Sequence, residues 1–172
     1  MKKFILCFVI GMASFLMGCA ANIRDGVALL EEGKYQDAVT CFERDITEEK
    51  NLYEAYRGAA IGYYELEEYE LAADCFQKAL ENEAEETATI YSLMAASYLQ
   101  LDEFGTALQY YDKAISMEDC TEEMKQEILF NEIAIYQEMG EWETVAEKVS
   151  VYVETYPEDT RMNKTVEFLE TR

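Results

Sequence analysis

Between Tyr56 and Leu80, small and apolar residues recur at three- and four-residue steps. Ala60 and Tyr63 lie on one side of a break at Leu66-Glu67-Glu68, and Tyr69, Ala72, Phe76 and Ala79 lie on the other. This spacing predicts one apolar stripe on each of two short helices. A step of 34 residues toward the N-terminus meets the same chemistry, with Tyr35, Ala38 and Phe42 preceding Tyr69, Ala72 and Phe76. The first pair should therefore begin near Asn22, a suitable N-cap, run to about Glu32 and break at Gly33. A third pair is expected from about Thr87 to Met117. It carries Tyr91, Ala95 and Tyr98, a turn at Asp102-Glu103, then Phe104, Ala107, Tyr111 and Ala114. The fourth pair follows an insertion near Asp119-Cys120-Thr121. Its residues are Leu129, Ile133 and Tyr136, the turn Gly140-Glu141, and Trp142, Val145, Val149 and Tyr152. The steps from Ala38 to Ala72, Ala107 and Val145 are 34, 35 and 38 residues, so the excess belongs to one longer connection. In the tail, Met162, Val166 and Leu169 form one stripe, as expected of an amphipathic helix that closes the open end of a stack.

Self-similarity at this period, with small residues on both helices of each pair and aromatics a turn away, resembles the tetratricopeptide repeat (TPR). Gly26, Ala60 and Ala95 stand at the small position of the first helix, and Ala38, Ala72 and Ala107 at that of the second. Tyr63, Tyr98 and Tyr136 occupy the aromatic position above them, and Pro157 the terminal proline position. Ile133 and Val145 depart from the small-residue rule. Asp45 sits where later repeats place alanine. The resemblance spans Asn22 to Pro157 and implies an all-α, right-handed superhelical solenoid of about four hairpins plus a capping helix. The corresponding division is 19–52, 53–87, 88–118, 119–157 including the preceding loop, and 158–172 for the cap. It also implies a groove lined by first helices that accepts a protein or peptide segment. Carried onto this chain, the lining candidates are Leu30, Arg57, Ile61, Tyr64, Leu93, Leu99, Phe130 and Asn131. The Lys and Asn set with which some family members clamp a C-terminal carboxylate is missing.

The first residues read differently. Lys2 and Lys3 precede an uncharged apolar run from Phe4 to Met17, too short for a membrane span of about 20 residues and shaped like an export signal. It ends in Leu16-Met17-Gly18-Cys19, which resembles the bacterial lipobox, with Met17 bulkier than the residue usual there. The resemblance implies removal of residues 1–18 and acylation of Cys19, hence an anchor at the cell membrane or outer membrane, facing away from the cytoplasm. An ordinary secretory signal and a retained helical anchor are the alternatives. Two or three acyl chains, at about 0.8 kcal/mol per buried methylene, hold a chain at a bilayer almost permanently. No Gly/Ser-rich tether lies between Cys19 and the first predicted helix.

Composition narrows the function. The 172 residues carry a formal charge of −22, which becomes −24 without Lys2 and Lys3, so nucleic acid is a poor partner. Histidine is absent, which removes imidazole bases and imidazole metal sites. The many carboxylate pairs, such as Glu31 with Glu32, fall on polar faces, and no phosphate loop or calcium loop occurs. No catalytic residue, cofactor or metal is therefore expected. Cys41 and Cys75 share a repeat position, on helices expected about 8–10 Å apart, beyond the reach of about 7 Å between bridged Cα atoms. Free thiols are expected there, with a bridge to Cys120 left open. The function these readings favour is a non-catalytic, membrane-anchored interaction or assembly scaffold at the cell envelope. The alternative is a lipoprotein that captures a glycan, peptide or small ligand.

Overall fold

The computed structural model describes residues 23–171, so residues 1–18, Cys19 and the Asn22 cap lie outside the described residues. Among those described there are nine helices and no strand: α1 (Ile23–Glu31), α2 (Tyr35–Thr47), α3 (Leu52–Glu65), α4 (Tyr69–Glu81), α5 (Ala88–Gln100), α6 (Phe104–Ser116), α7 (Glu122–Glu138), α8 (Trp142–Thr155) and α9 (Asn163–Glu170). They pair as the hairpins α1/α2, α3/α4, α5/α6 and α7/α8, and each hairpin packs on the next. The stack is thus held by neighbour interfaces rather than by one central core.

One backbone device builds all four hairpin turns. The residue before each second-helix cap lies in the left-handed region: Gly33 (φ 70°), Glu67 (φ 63°), Asp102 (φ 58°) and Gly140 (φ 75°). This conformation turns the next amide back onto the helix just ended. Lys34 N donates to Leu29 O, Glu68 N to Tyr63 O, Glu103 N to Tyr98 O and Glu141 N to Tyr136 O, each at 2.9 Å. These are the six-to-one bonds that satisfy orphan carbonyls at a helix end. Glycine makes the conformation free of steric cost in the first and last turns, whereas Glu67 and Asp102 adopt it as ordinary L-residues.

Small residues then set the helix spacing. Ala38, Ala59, Ala60, Ala72, Ala79, Ala95, Ala107 and Ala114 have no exposed surface, and Phe42 and Phe76 are buried among them. Gly58 and Gly62, which the spacing argument passed over, prove as important as Gly26. A Cβ at Gly26 would come within 2.6 Å of the Phe42 ring, and one at Gly58 would overlap the same ring. Phe42 is therefore wedged between the backbones of α1 and α3. At Gly62 the obstacle would be Val39 Cγ2, at 2.6 Å. Tyr63, Tyr98 and Tyr136 are only half-buried. Their rings pack at the edge of the interior, and the Tyr63 hydroxyl reaches out to donate to Glu43 at 2.5 Å.

The last hairpin is built differently. Ile133, Val145, Val149, Tyr152 and Met162 form a second buried cluster, with Leu129, Trp142, Val166 and Leu169 packed against it. Helix α7 serves both clusters, turning Ile128 and Ile135 toward the first and Ile133 toward the second. The insertion before it is tied down, because the Asp119 carboxylate accepts from Ala88 N at 3.0 Å and so caps α5 together with Thr87. Thr121 then caps α7, accepting from Met124 N at 3.2 Å. Asp45 is buried at its alanine position.

Candidate functional site

The candidate lining residues all fall on first helices: Leu30 on α1, Arg57, Ile61 and Tyr64 on α3, Leu93 and Leu99 on α5, and Phe130 and Asn131 on α7. Helix periodicity alone puts them there. Their surroundings divide them into three groups. Leu30, Ile61, Leu93 and Leu99 are half-buried and pack down onto the main cluster, leaving one apolar edge to solvent. Arg57 is exposed, with no carboxylate at ion-pair distance among the described residues. Tyr64, Phe130 and Asn131 are drawn into aromatic and polar contacts that the spacing did not reveal.

Tyr111, on α6, is the first of these centres. Its ring is fully buried, yet its hydroxyl accepts from Asn131 Nδ2 at 3.0 Å, joining the third hairpin to the fourth. Burial raises its pKa well above the ordinary phenol value, and the nearby Tyr64 phenol adds to the rise. Tyr64 also meets Tyr69 edge-on, with ring centroids 5.6 Å apart. One phenol therefore gathers candidates from α3 and α7. Sequence reasoning placed Tyr111 only on the packing stripe. The available signal was its hydroxyl, since Phe42 and Phe76 fill the equivalent positions without one.

The second centre lies at the start of α7. The Arg161 guanidinium, from the segment between α8 and α9, stands 4.3 Å over the Phe130 ring. It holds Glu127 with two bonds, Nη1 to Oε2 at 2.9 Å and Nη2 to Oε1 at 2.7 Å. The same guanidinium donates to Asp159 Oδ2 at 2.7 Å and to the Tyr152 hydroxyl at 2.9 Å. Asp159 is the hub: its Oδ2 also accepts from Tyr152 Oη at 2.5 Å and Gln126 Nε2 at 2.6 Å. Hydrogen bonds from Arg161 and Tyr152 hold this carboxyl well below the usual carboxylate range, and bonds to Glu127 and Asp159 push Arg161 further up. Forked pairing of this kind needs arginine rather than lysine. Further along α7, Gln137 Nε2 donates to Thr165 Oγ1 of α9 at 3.1 Å. Phe130 is thus covered by the chain itself.

An ion pair between a half-buried lysine and a buried glutamate stands beside these groups. Lys148 donates to Glu132 at 2.7 Å and lies over the Tyr136 ring, 5.5 Å from its centroid. Among the described residues Cys75 and Cys120 are free thiols, and burial pushes the Cys75 thiol up to about 11, so it stays protonated at neutral pH. No group of three side chains that could hold a metal occurs among the described residues. No helix among them is long and apolar enough to cross a membrane. Among the described residues this face presents a row of apolar edges, phenols and the exposed Arg57 guanidinium.

Four helix hairpins of this size, closed by the same turn and in the first three packed through matched small residues, define an all-α solenoid of the tetratricopeptide-repeat type. Residues 88–119, essentially the third hairpin, match the tetratricopeptide repeat family model. Among solved structures, YrrB, described as a TPR protein with an unusual peptide-binding site, is similar at 21% identity, with 78% of this chain and 67% of that chain covered and a TM-score of 0.65. MamA (41-end) from Desulfovibrio magneticus RS-1 is similar at 20% identity, covering 77% of this chain and 72% of that one with a TM-score of 0.66. MamA AMB-1 follows at 12% identity, with 85% and 77% covered and a TM-score of 0.69. No curated protein matches the sequence. These likenesses are those of fold.

Proposed function

We propose that this chain is a non-catalytic interaction module, held at a membrane of the cell envelope through an acylated Cys19, that binds a protein or peptide segment on its first-helix face. The observation that carries the binding half is the row of half-buried apolar side chains on α1, α3 and α5, left partly open where they could have been fully covered. The peptide-binding site named for YrrB supports a partner of the same kind. The anchoring half rests on the signal-like run and on Cys19. Only Ala20, Ala21 and Asn22 separate Cys19 from Ile23, the first described residue of α1, a reach of at most about 14 Å at full extension. An anchored stack would stand close to the bilayer and project outward, since its acidic surface is repelled by anionic headgroups within about 8 Å.

The two halves are tested separately. Cys19→Ala should abolish lipid labelling and either release the chain or leave it uncleaved; normal processing with unchanged retention refutes the anchor. A photo-reactive residue at Tyr64 should give discrete protein adducts that the same residue at exposed Val151 of α8 does not. Equal labelling from both positions, or saturable thermal stabilisation by a small ligand with no adduct, refutes the scaffold reading.

A further inference from the structure

The contacts of Arg161 have the composition of a recognition site rather than of a simple cap. Glu127 supplies a bidentate carboxylate, Phe130 an aromatic floor, and Tyr152 with Gln126 the partners of an aspartate two residues before the arginine. The receptor groups all belong to α7 and α8, whereas the groups received come from residues 159–161. We infer that this end of the first-helix face is a binding site for a peptide bearing arginine two residues after aspartate, and that the chain fills it with its own Asp159-Thr160-Arg161 as an internal competitor. The inference deepens the proposed interaction role and rests on that reading for its biological meaning, but its chemistry stands on these contacts.

Three features mark the closure as exchangeable. Helix α9 contributes no fully buried residue: Met162 just before it is buried, whereas Val166 and Leu169 pack only at the edge of the cluster and the Phe168 ring meets Trp142 while staying 39% exposed. The ion pair is open to solvent, with the Glu127 and Arg161 side chains 57% and 37% exposed, so an incoming guanidinium can reach the carboxylate before the resident one has left. The surrounding surface is strongly acidic, which draws a cationic segment and disfavours any rival that lacks one. The resident segment holds the site because it is tethered. Between the end of α8 at Thr155 and Asp159 there are only three residues, and so short a connection gives an effective concentration in the millimolar range. A partner displaces it only by making further contacts, and those are available along α5 and α3.

The test uses the full chain and a labelled peptide spanning residues 156–172. Arg161→Ala should loosen the segment, seen as faster amide exchange over residues 159–170, while circular dichroism shows the helices kept. This variant should bind the free peptide saturably and at least about tenfold more tightly than the wild type does, as removal of a tethered competitor requires. The same peptide carrying Arg161→Ala should not bind. Glu127→Gln also loosens the segment, but it should not recover peptide binding, since the receptor itself is damaged. Binding that ignores the peptide's arginine, equal binding by wild type and Arg161→Ala, or tight binding by Glu127→Gln overturns the inference. So does exchange over residues 159–170 that neither variant changes. Loss of the Tyr64 adducts with these results intact would remove the wider interaction role and leave the site.

Discussion

The interface of α3 with α4 and that of α7 with α8 join equivalent helices by opposite means. In the second hairpin Ala60 and Ala72 let the backbones close up, and Phe76 fills the remaining space. In the fourth, Ile133 and Val145 occupy the corresponding positions, and the two backbones run close over less of their length. The bulk that separates them makes room for polar structure: the Lys148–Glu132 pair and the Asp159 hub, which needs the Tyr152 hydroxyl where the second hairpin has Ala79. A small-residue interface is stabilised by dispersion and burial and has one packed arrangement. A branched and hydrogen-bonded one divides its stability among contacts that can be broken singly, which suits a region whose terminal segment exchanges.

The comparison can be broken at its strongest point. Phe76→Ala should cost about 3–5 kcal/mol in chemical denaturation, because the methyl groups of the alanines around it cannot rotate into the void; a loss below about 1 kcal/mol would mean that the first three hairpins are not close-packed. Lys148→Ala should cost about 3 kcal/mol by stranding Glu132, which is only 7% exposed, and Lys148→Ala with Glu132→Leu should recover most of it. Failure of that recovery would show that the fourth hairpin depends on the charge itself. Glu67→Gly should stabilise the chain by about 1 kcal/mol, whereas Gly140→Ala should destabilise it by about the same amount; equal signs would exclude a shared turn. The smallest effect is local and depends on pH. The Asp159 carboxyl titrates lower folded than unfolded, so its contribution is complete above the unfolded value of about 3.9 and is lost as pH falls through the folded one. Amide protection over residues 159–170 should then be flat from pH 7 to 5 and fall in more acidic solution, while protection in α3 and α4 persists.

Most of the hairpins were legible because their determinant is periodic. The step of 34 or 35 residues from Ala38 to Ala72 to Ala107 locates the turns to within a residue or two of Gly33, Glu67 and Asp102. The lining candidates were legible only as positions on helices. Whether Phe130 stays open depends on Arg161, 31 residues away along the chain, and no period connects them. Gly58 escaped notice for a similar reason. It lies two residues before the repeat's small position, and its importance comes from a ring on another hairpin.

What the sequence determined by itself is the local alternation: which stretches are helices, which face of each is apolar and where small residues allow close approach. Those properties belong to residues within one or two turns of each other. The tertiary structure alone decided which polar groups meet across hairpins, namely Asn131 with Tyr111, Glu132 with Lys148, and Glu127 and Phe130 with Arg161. Such pairings depend on the rotation of one helix about another and on where the terminal segment comes to rest, and packing sets both only once the hairpins are stacked.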